Sequence, residues 1–385
     1  MAVMIAGGGI AGLTTALALA RRGLASTVIE QAPAIEAVGA GLQLSPNATR
    51  VLFALGLEKA LSDQSVAPPR AEVRDAASGR LLVGNRLGAE GEARWRAPYL
   101  TLTRTALQSA LLEAVEATGR VEFRFGRAIV GARIATDGVE VQFEGGEFAT
   151  ADVLLGCDGV RSTVRTAILG PEAPRYTGQT AWRGLARMSG LDAAPVQVWA
   201  GPQRHFVRYP VAPGMVNMVA VVEARLAEVE SWTTEGRRED LAAAFADWPE
   251  PVRGTIGAVE RPWRSALYDR APFDHWTKGR ATLIGDAAHP MLPFLAQGAG
   301  MAIEDAFVVA KLLAEMGDPG AALTAYEQVR RARAAKVQNW ASRNARLFHL
   351  PSTAATGVFG AAKILDRLRG RDAEARFDWL YGWAP

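Results

Sequence analysis

The run Gly7-Gly8-Gly9-Ile10-Ala11-Gly12 constrains the fold of this chain more than any other stretch. Its glycines stand at the first, third and sixth places of the dinucleotide fingerprint, a spacing that carries weight only in strand, turn, helix context. That context is present. Ala2 to Ala6 is a short apolar run suited to a buried strand, Ile10 to Arg22 has helical composition, and Gly23 falls where a helix C-cap is expected. Glycines at 7, 9 and 12 let backbone N–H groups and a helix N-terminus meet a diphosphate closely. A second apolar strand, Ser26 to Ile29, ends in Glu30, where a carboxylate can accept from a ribose 2′-hydroxyl. The expected ligand is a nucleotide whose 2′-hydroxyl is free.

Composition sets the limits. At 385 residues the chain exceeds one ordinary core and suits a large α/β domain with a second element. With 49% hydrophobic and 22% charged residues, long disorder is excluded. The formal charge of +3 is small, and no basic run is interleaved with aromatics, so nucleic acid is not an expected partner. The N-terminal apolar run lacks the basic n-region of a secretory signal and reaches no uninterrupted span before Arg21 and Arg22. The chain is therefore expected to be cytoplasmic, with no stable membrane insertion. Its single cysteine, Cys157, excludes an intramolecular disulfide and reads as a small buried hydrophobe. No metal site is expected.

Along the chain, Val38 to Asn47 reads as a glycine-rich loop and Ala48 to Leu55 as a helix. Ala71 to Val83 reads as a hairpin, and Arg104 to Thr118 as an amphipathic helix. From Pro174 to about Tyr268 the texture becomes β-rich, with strands at Gln179 to Met188, Val196 to Ala200, His205 to Val211 and Met215 to Val222. Strand Ala281 to Ile284 returns to the first domain, and a long helix runs from Ala321 to Phe348. The expected fold is α/β, a Rossmann-like nucleotide domain (1–69, 101–173 and 269–350) with an inserted β-rich substrate domain (70–100 and 174–268). A C-terminal helical segment (351–385) follows.

Two further motifs carry chemistry. In Gly156-Cys157-Asp158-Gly159, an apolar strand delivers an aspartate that either accepts from a dinucleotide or holds its own turn. The other is Gly285-Asp286-Ala287-Ala288-His289-Pro290, followed by Ala296-Gln297-Gly298-Ala299-Gly300-Met301-Ala302-Ile303-Glu304-Asp305-Ala306. Together with the fingerprint, this ordered set resembles the single-component FAD-dependent aromatic hydroxylases, the p-hydroxybenzoate hydroxylase family. Within it the chain is most similar to the salicylate, 3-hydroxybenzoate 6- and 6-hydroxynicotinate 3-hydroxylating members.

The resemblance implies FAD as cofactor, NADH or NADPH as transient reductant and O2 as co-substrate; a monomer or homodimer is expected. It implies that Asp286 bonds the ribityl or ribose region, that Arg104 and Gln108 lie along the cofactor, and that Gly298, Ala299, Gly300 and Met301 cap the isoalloxazine. A helix N-terminus there would set partial positive charge beside N1 and O2, where negative charge collects on reduction. Pro293 and Phe294 are expected to wall the ring, and His289 to be structural.

The p-hydroxybenzoate enzyme carries a substrate-region arginine in the loop corresponding to Gly39-Ala40-Gly41, and this chain has none there, so the substrate grip must differ. His205 and Tyr209 fall on one face of a strand, and related enzymes place a histidine near the substrate hydroxyl. Attack by a flavin hydroperoxide is electrophilic, so a base that removes the phenolic proton enriches the ring; histidine, with an ordinary pKa of about 6.5, suits that task. Arg183 or Arg208 could meet a substrate carboxylate. The reading is a monooxygenase of a small, salicylate-like hydroxylated aromatic acid. Its alternatives are a hydroxylase of hydroxypyridine acids, urate or larger polycyclic rings, and a flavin redox protein without oxygenase activity; an NAD-dependent dehydrogenase is disfavoured by Asp158 and Asp286.

Overall fold

The computed structural model describes residues 1–35, 40–224 and 234–384. The opening strand, Val3–Ala6, is buried along its whole length because it is the inside of a six-stranded sheet. Its neighbours are Val153–Gly156 on one side and Ser26–Ile29 on the other, both parallel to it. Ala281–Leu283 and Val121–Arg124 extend the sheet in parallel, and Thr277–Lys278 closes one edge antiparallel. Parallel strands covered on both faces read as continuous apolar runs. The helix Ile10–Ala20 packs on this sheet and against the helices Arg104–Glu116 and Gly298–Glu315.

A second sheet of seven strands draws its members from two stretches of chain, Arg70–Arg86 and Arg175–Asp269. It is antiparallel apart from one pair, Val196–Gly201 beside Arg70–Asp75. Side chains alternate across it. Trp182, Trp199, Phe206 and Met218 face an outer core closed by Phe245, Trp248 and Ile256. Ala181, Tyr209, Val221 and Leu267 face the other way, toward Phe294 and the C-terminal helices. The long helix Pro319–Leu347, capped by Asp318, ends against this sheet, where Gly201 and Gln203 donate to the carbonyls of Phe348 and His349.

Two local expectations are corrected. The glycine-rich loop is in part a strand: Gly41–Leu44 pairs antiparallel with Leu100–Thr103, while Val38 and Gly39 lie outside the described residues. A Cβ at Gly41 would stand 2.5 Å from Val211 and 2.7 Å from Asn217, and its N–H donates to Asn217 Oδ1 at 2.6 Å. Glycine there permits a close approach between strands rather than a loop. The following helix starts earlier than expected, at Pro46, because proline is well placed in a first helical turn and Ser45 supplies the N-cap position.

Candidate active site

The glycines of the fingerprint have separate jobs. A Cβ at Gly12 would stand 1.9 Å from the Gly7 carbonyl, and one at Gly7, whose φ is +99°, would stand 2.6 Å from the Cys157 carbonyl. Those two close the turn. At Gly9 a Cβ would meet no protein atom within 4 Å, so that glycine faces open space at the start of the helix Ile10–Ala20. Glu30 lies beside the turn, accepting from Gly8 N–H at 2.7 Å and from Ala32 N–H at 2.9 Å. Gly9→Val is therefore expected to leave the fold intact and to yield protein purified without flavin. Absorbance of the purified variant near the flavin bands checks this, and a full complement of FAD would show the cradle to be misassigned.

Asp286 sits in a turn made possible by Gly285 at φ +63°. Its carboxylate lines the main cavity, with Arg104 and His289 the charges acting on it. Burial raises its pKa, against the pull of those two groups. The helix Gly298–Glu315 begins with no side-chain cap, and Gln297, Gly298 and Ala299 line the same cavity. Uncapped N–H groups at a helix start are donors with partial positive charge. These features fit a flavin: open space at Gly9 for a diphosphate, and one cavity lined by the Asp286 carboxylate and the uncapped start of a helix, which would hold the rest of the cofactor.

A buried ionic network holds this arrangement. Asp305 accepts from His289 Nε2 at 2.5 Å, Gly285 N–H at 3.0 Å and Arg330 Nε at 2.7 Å. Burial alone would raise the Asp305 pKa, but His289 and Arg330 outweigh it and hold the carboxyl well below the usual range. Glu304 accepts from Arg330, Arg333 and Asn47, and Asn47 reaches Gln297 at 3.2 Å. His289 is fully buried against Asp305. It ties the Asp286 turn to the helix behind it.

The cavity, of about 690 Å³, extends from Ile10 and Asp286 to the second sheet. His205, Val207 and Tyr209 line it from one strand, whereas Phe206 packs in the outer core. His205 is 1% exposed and meets Phe294 edge-on at 4.9 Å between centroids. Burial, then the neighbouring His349, lowers its pKa well below the ordinary value, so its ring is neutral at pH 7. Burial raises the Tyr209 pKa while Gln43 and Arg183 lower it in part, leaving a neutral phenol. Tyr99 donates to Gln43 at 2.7 Å. Arg183 lines the cavity and donates to Ser265 at 2.7 Å; burial brings its pKa down to about 10, so it remains a cation.

Several expected residues converge here: Arg104, Gln108, Asp286, Pro293, Phe294, Gly298, Ala299, Arg183, His205 and Tyr209 all line one cavity. The fingerprint glycines and Glu30 are not among its lining residues, though Ile10, next to Gly9, is. Gly300 and Met301 turn away: Met301 is fully buried, its N–H bonds Gln297 and its sulfur lies 3.7 Å from Arg330. Asp158 accepts from Val164 N–H at 3.1 Å through one carboxylate oxygen, while its other oxygen, also buried, has no partner among the described residues. Arg208 is bound on the opposite sheet face by Gln197, Pro251 and Thr255. Gln43, Tyr99 and His349 were missed, because no local pattern marks them.

The FAD binding domain family matches residues 1–341. The 3-amino-4-hydroxybenzoate 2-monooxygenase of Streptomyces platensis is 40% identical over 99% of this chain and 96% of its own length. The 3-hydroxybenzoate 6-hydroxylase of Klebsiella oxytoca is 35% identical, covering 100% of this chain and 97% of its own. Among solved structures, Klebsiella pneumoniae HpxO complexed with FAD and uric acid superposes with a TM-score of 0.84 at 27% identity, over 99% of this chain and 96% of that one. No helix among the described residues is long and apolar enough to cross a membrane.

Proposed function

The chain belongs to the FAD binding domain family, and we infer from that premise that it is an FAD-dependent, NAD(P)H-consuming monooxygenase of a small hydroxylated aromatic acid. The observation that carries the reading is a single cavity with Asp286 and an uncapped helix start at one side and His205, Tyr209 and Arg183 at the other. The bound flavin, once reduced, supplies an electrophilic oxygen atom taken from O2. The chain's own residues prepare the ring. Neutral His205 accepts the phenolic proton, Arg183 receives the carboxylate, Tyr209 orients the ring as a neutral donor, and Pro293 and Phe294 exclude water. A lone buried cysteine and a need for reduced nicotinamide suit a cytoplasmic setting.

Sheet geometry refines the substrate. His205 and Tyr209 are four residues apart, about 13 Å along a strand. Arg183 and Val207 both pair with Val219, so Arg183 stands level with Val207, two strands over. That puts the Arg183 backbone about 12 Å from that of His205, and its charge interacts with Tyr209. An acid gripped at both ends meets His205 with its hydroxyl and Arg183 with its carboxylate, and we favour a hydroxyl meta or para to the carboxylate over the ortho pair of a salicylate. The two bacterial relatives are named for substrates of the wider kind.

The test is NADH oxidation by flavin-loaded protein with 3-hydroxybenzoate, 4-hydroxybenzoate, 3-amino-4-hydroxybenzoate and salicylate, with the product identified by mass. Stimulation by a meta or para acid with gain of one oxygen is expected. Equal turnover of salicylate would overturn the two-ended grip, and no stimulation by any of them would overturn the monooxygenase reading.

A further inference from the structure

His205 lies deep in the cavity between Phe294 and Phe348, so a proton it accepts needs a way out. Its Nδ1 stands 2.9 Å from Nε2 of His349. On the far side of that second ring, Nδ1 stands 3.0 Å from Oε1 of Glu223, whose side chain is 45% exposed. We propose that His349 and Glu223 complete, with His205, a proton relay joining the substrate cavity to solvent; this rests on the reading of His205 as the base.

Hydrogen-bond logic fixes the direction. The Glu223 carboxylate can only accept, which keeps a proton on His349 Nδ1. Gln179 Nε2 is more distant from that nitrogen, at 3.4 Å, and its Oε1 has no partner among the described residues, so a turned amide would accept the same proton. His349 Nε2 then carries a lone pair, accepts from His205 Nδ1–H, and leaves His205 Nε2 as the acceptor of the substrate proton. Burial lowers the pKa of both rings, and Glu223 opposes this only at His349. Two neutral rings in series are what a relay requires.

The transfer balances. The phenolic O–H breaks and His205 Nε2–H forms. His205 Nδ1–H passes its proton to His349 Nε2, and His349 Nδ1–H passes its own to Glu223, which gives it to water. The substrate becomes a phenolate and neither histidine gains charge. Protonation of the product's phenolate runs the same path backwards and restores both tautomers. The backbone holds the rings in line: His349 is fixed by the Gln203 N–H on its carbonyl, and Glu223 by its own N–H on the Gln203 carbonyl.

The test uses oxidised holoenzyme and 3-hydroxybenzoate in weak buffer with a pH indicator, read by stopped flow beside coupled turnover. His349→Ala is expected to slow proton release and hydroxylation by about tenfold or more, with FAD content and substrate affinity unchanged and more hydrogen peroxide released. Added imidazole should restore part of the rate. His349→Gln, which keeps the volume, should show the same loss without rescue, and Glu223→Gln a smaller one. Wild-type proton release and coupling in both His349 variants would overturn the relay. A second readout needs no substrate: with four histidines in the chain, ¹⁵N labelling resolves their ring nitrogens. His349 should carry its proton on Nδ1 alone at neutral pH. A doubly protonated His349 would overturn the relay, since it offers His205 no lone pair. Wild-type protein inert toward 3-hydroxybenzoate would count against the substrate reading, and the tautomers would still decide the relay.

Discussion

His205→Ala is expected to lower the hydroxylation rate by about 10² to 10⁴ at neutral pH, the usual cost of losing a positioned base, while FAD binding and flavin reduction persist. The cavity side that holds Asp286 and the helix start at Gly298 is built from other elements, so cofactor and base should separate in this variant. Unreacted oxygen equivalents should appear as hydrogen peroxide. The pH profile carries the sign. Because burial lowers the His205 pKa, the wild-type base remains available below the ordinary histidine range, and its rate should fall only as pH drops through that lowered value. The variant must wait for the phenol to ionise unaided, so its rate should climb tenfold per pH unit toward a phenol pKa of about 10. Product formed per NADH consumed, measured across pH for both proteins, checks this. Wild-type coupling in the variant at neutral pH would remove His205 from the chemistry.

The second large effect is on stability. Arg330 is fully buried between Asp305 and Glu304, and its guanidinium lies 5.2 Å from the Trp383 ring centroid. Removing one partner of a buried ion pair leaves charge without compensation and costs about 3–5 kcal/mol. Arg330→Ala should therefore lower the melting midpoint by roughly 4–6 °C. Arg330→Met, which keeps much of the volume, should do nearly the same, because the loss is electrostatic. Since Asp305 also holds the N–H of Gly285, FAD retention should weaken in both. Thermal melts with and without added FAD read both effects. A methionine variant as stable as wild type would show that packing rather than charge fixes the Asp286 turn.

The cofactor cradle was legible in the chain because its requirements are local. Gly12 is dictated by the Gly7 carbonyl inside the same turn and Gly7 by its own positive φ, demands that show directly as residue type and spacing, although Gly7 also makes way for the Cys157 carbonyl of a distant strand. The face shared by His205 and Tyr209 was legible for a similar reason, since strand alternation is a property of the backbone. The helix at Gly298 was also correctly placed, but which of its first residues face the cavity was not. Gly298 and Ala299 do; Gly300 and Met301 do not. The deciding factor is the rotation of the helix about its axis, set by burial of Met301, Glu304 and Asp305 against Arg330 and its neighbours.

What the sequence determined by itself was the kind of ligand, because a phosphate-binding turn is written within a few consecutive residues, while the class of chemistry came from the resemblance that the three glycine-rich motifs carry together. Only the tertiary structure decided which arginine faces the cavity. Arg183 and Arg208 have equal claims as residues, and they come to lie on opposite sheet faces through the alternation and pairing of strands far apart in the chain. It alone also brought His349, 144 residues from His205, within hydrogen-bond reach. That contact depends on where a long C-terminal helix ends against a hairpin of the second sheet. Local propensity can start and stop a helix, but its docking is settled by long-range packing.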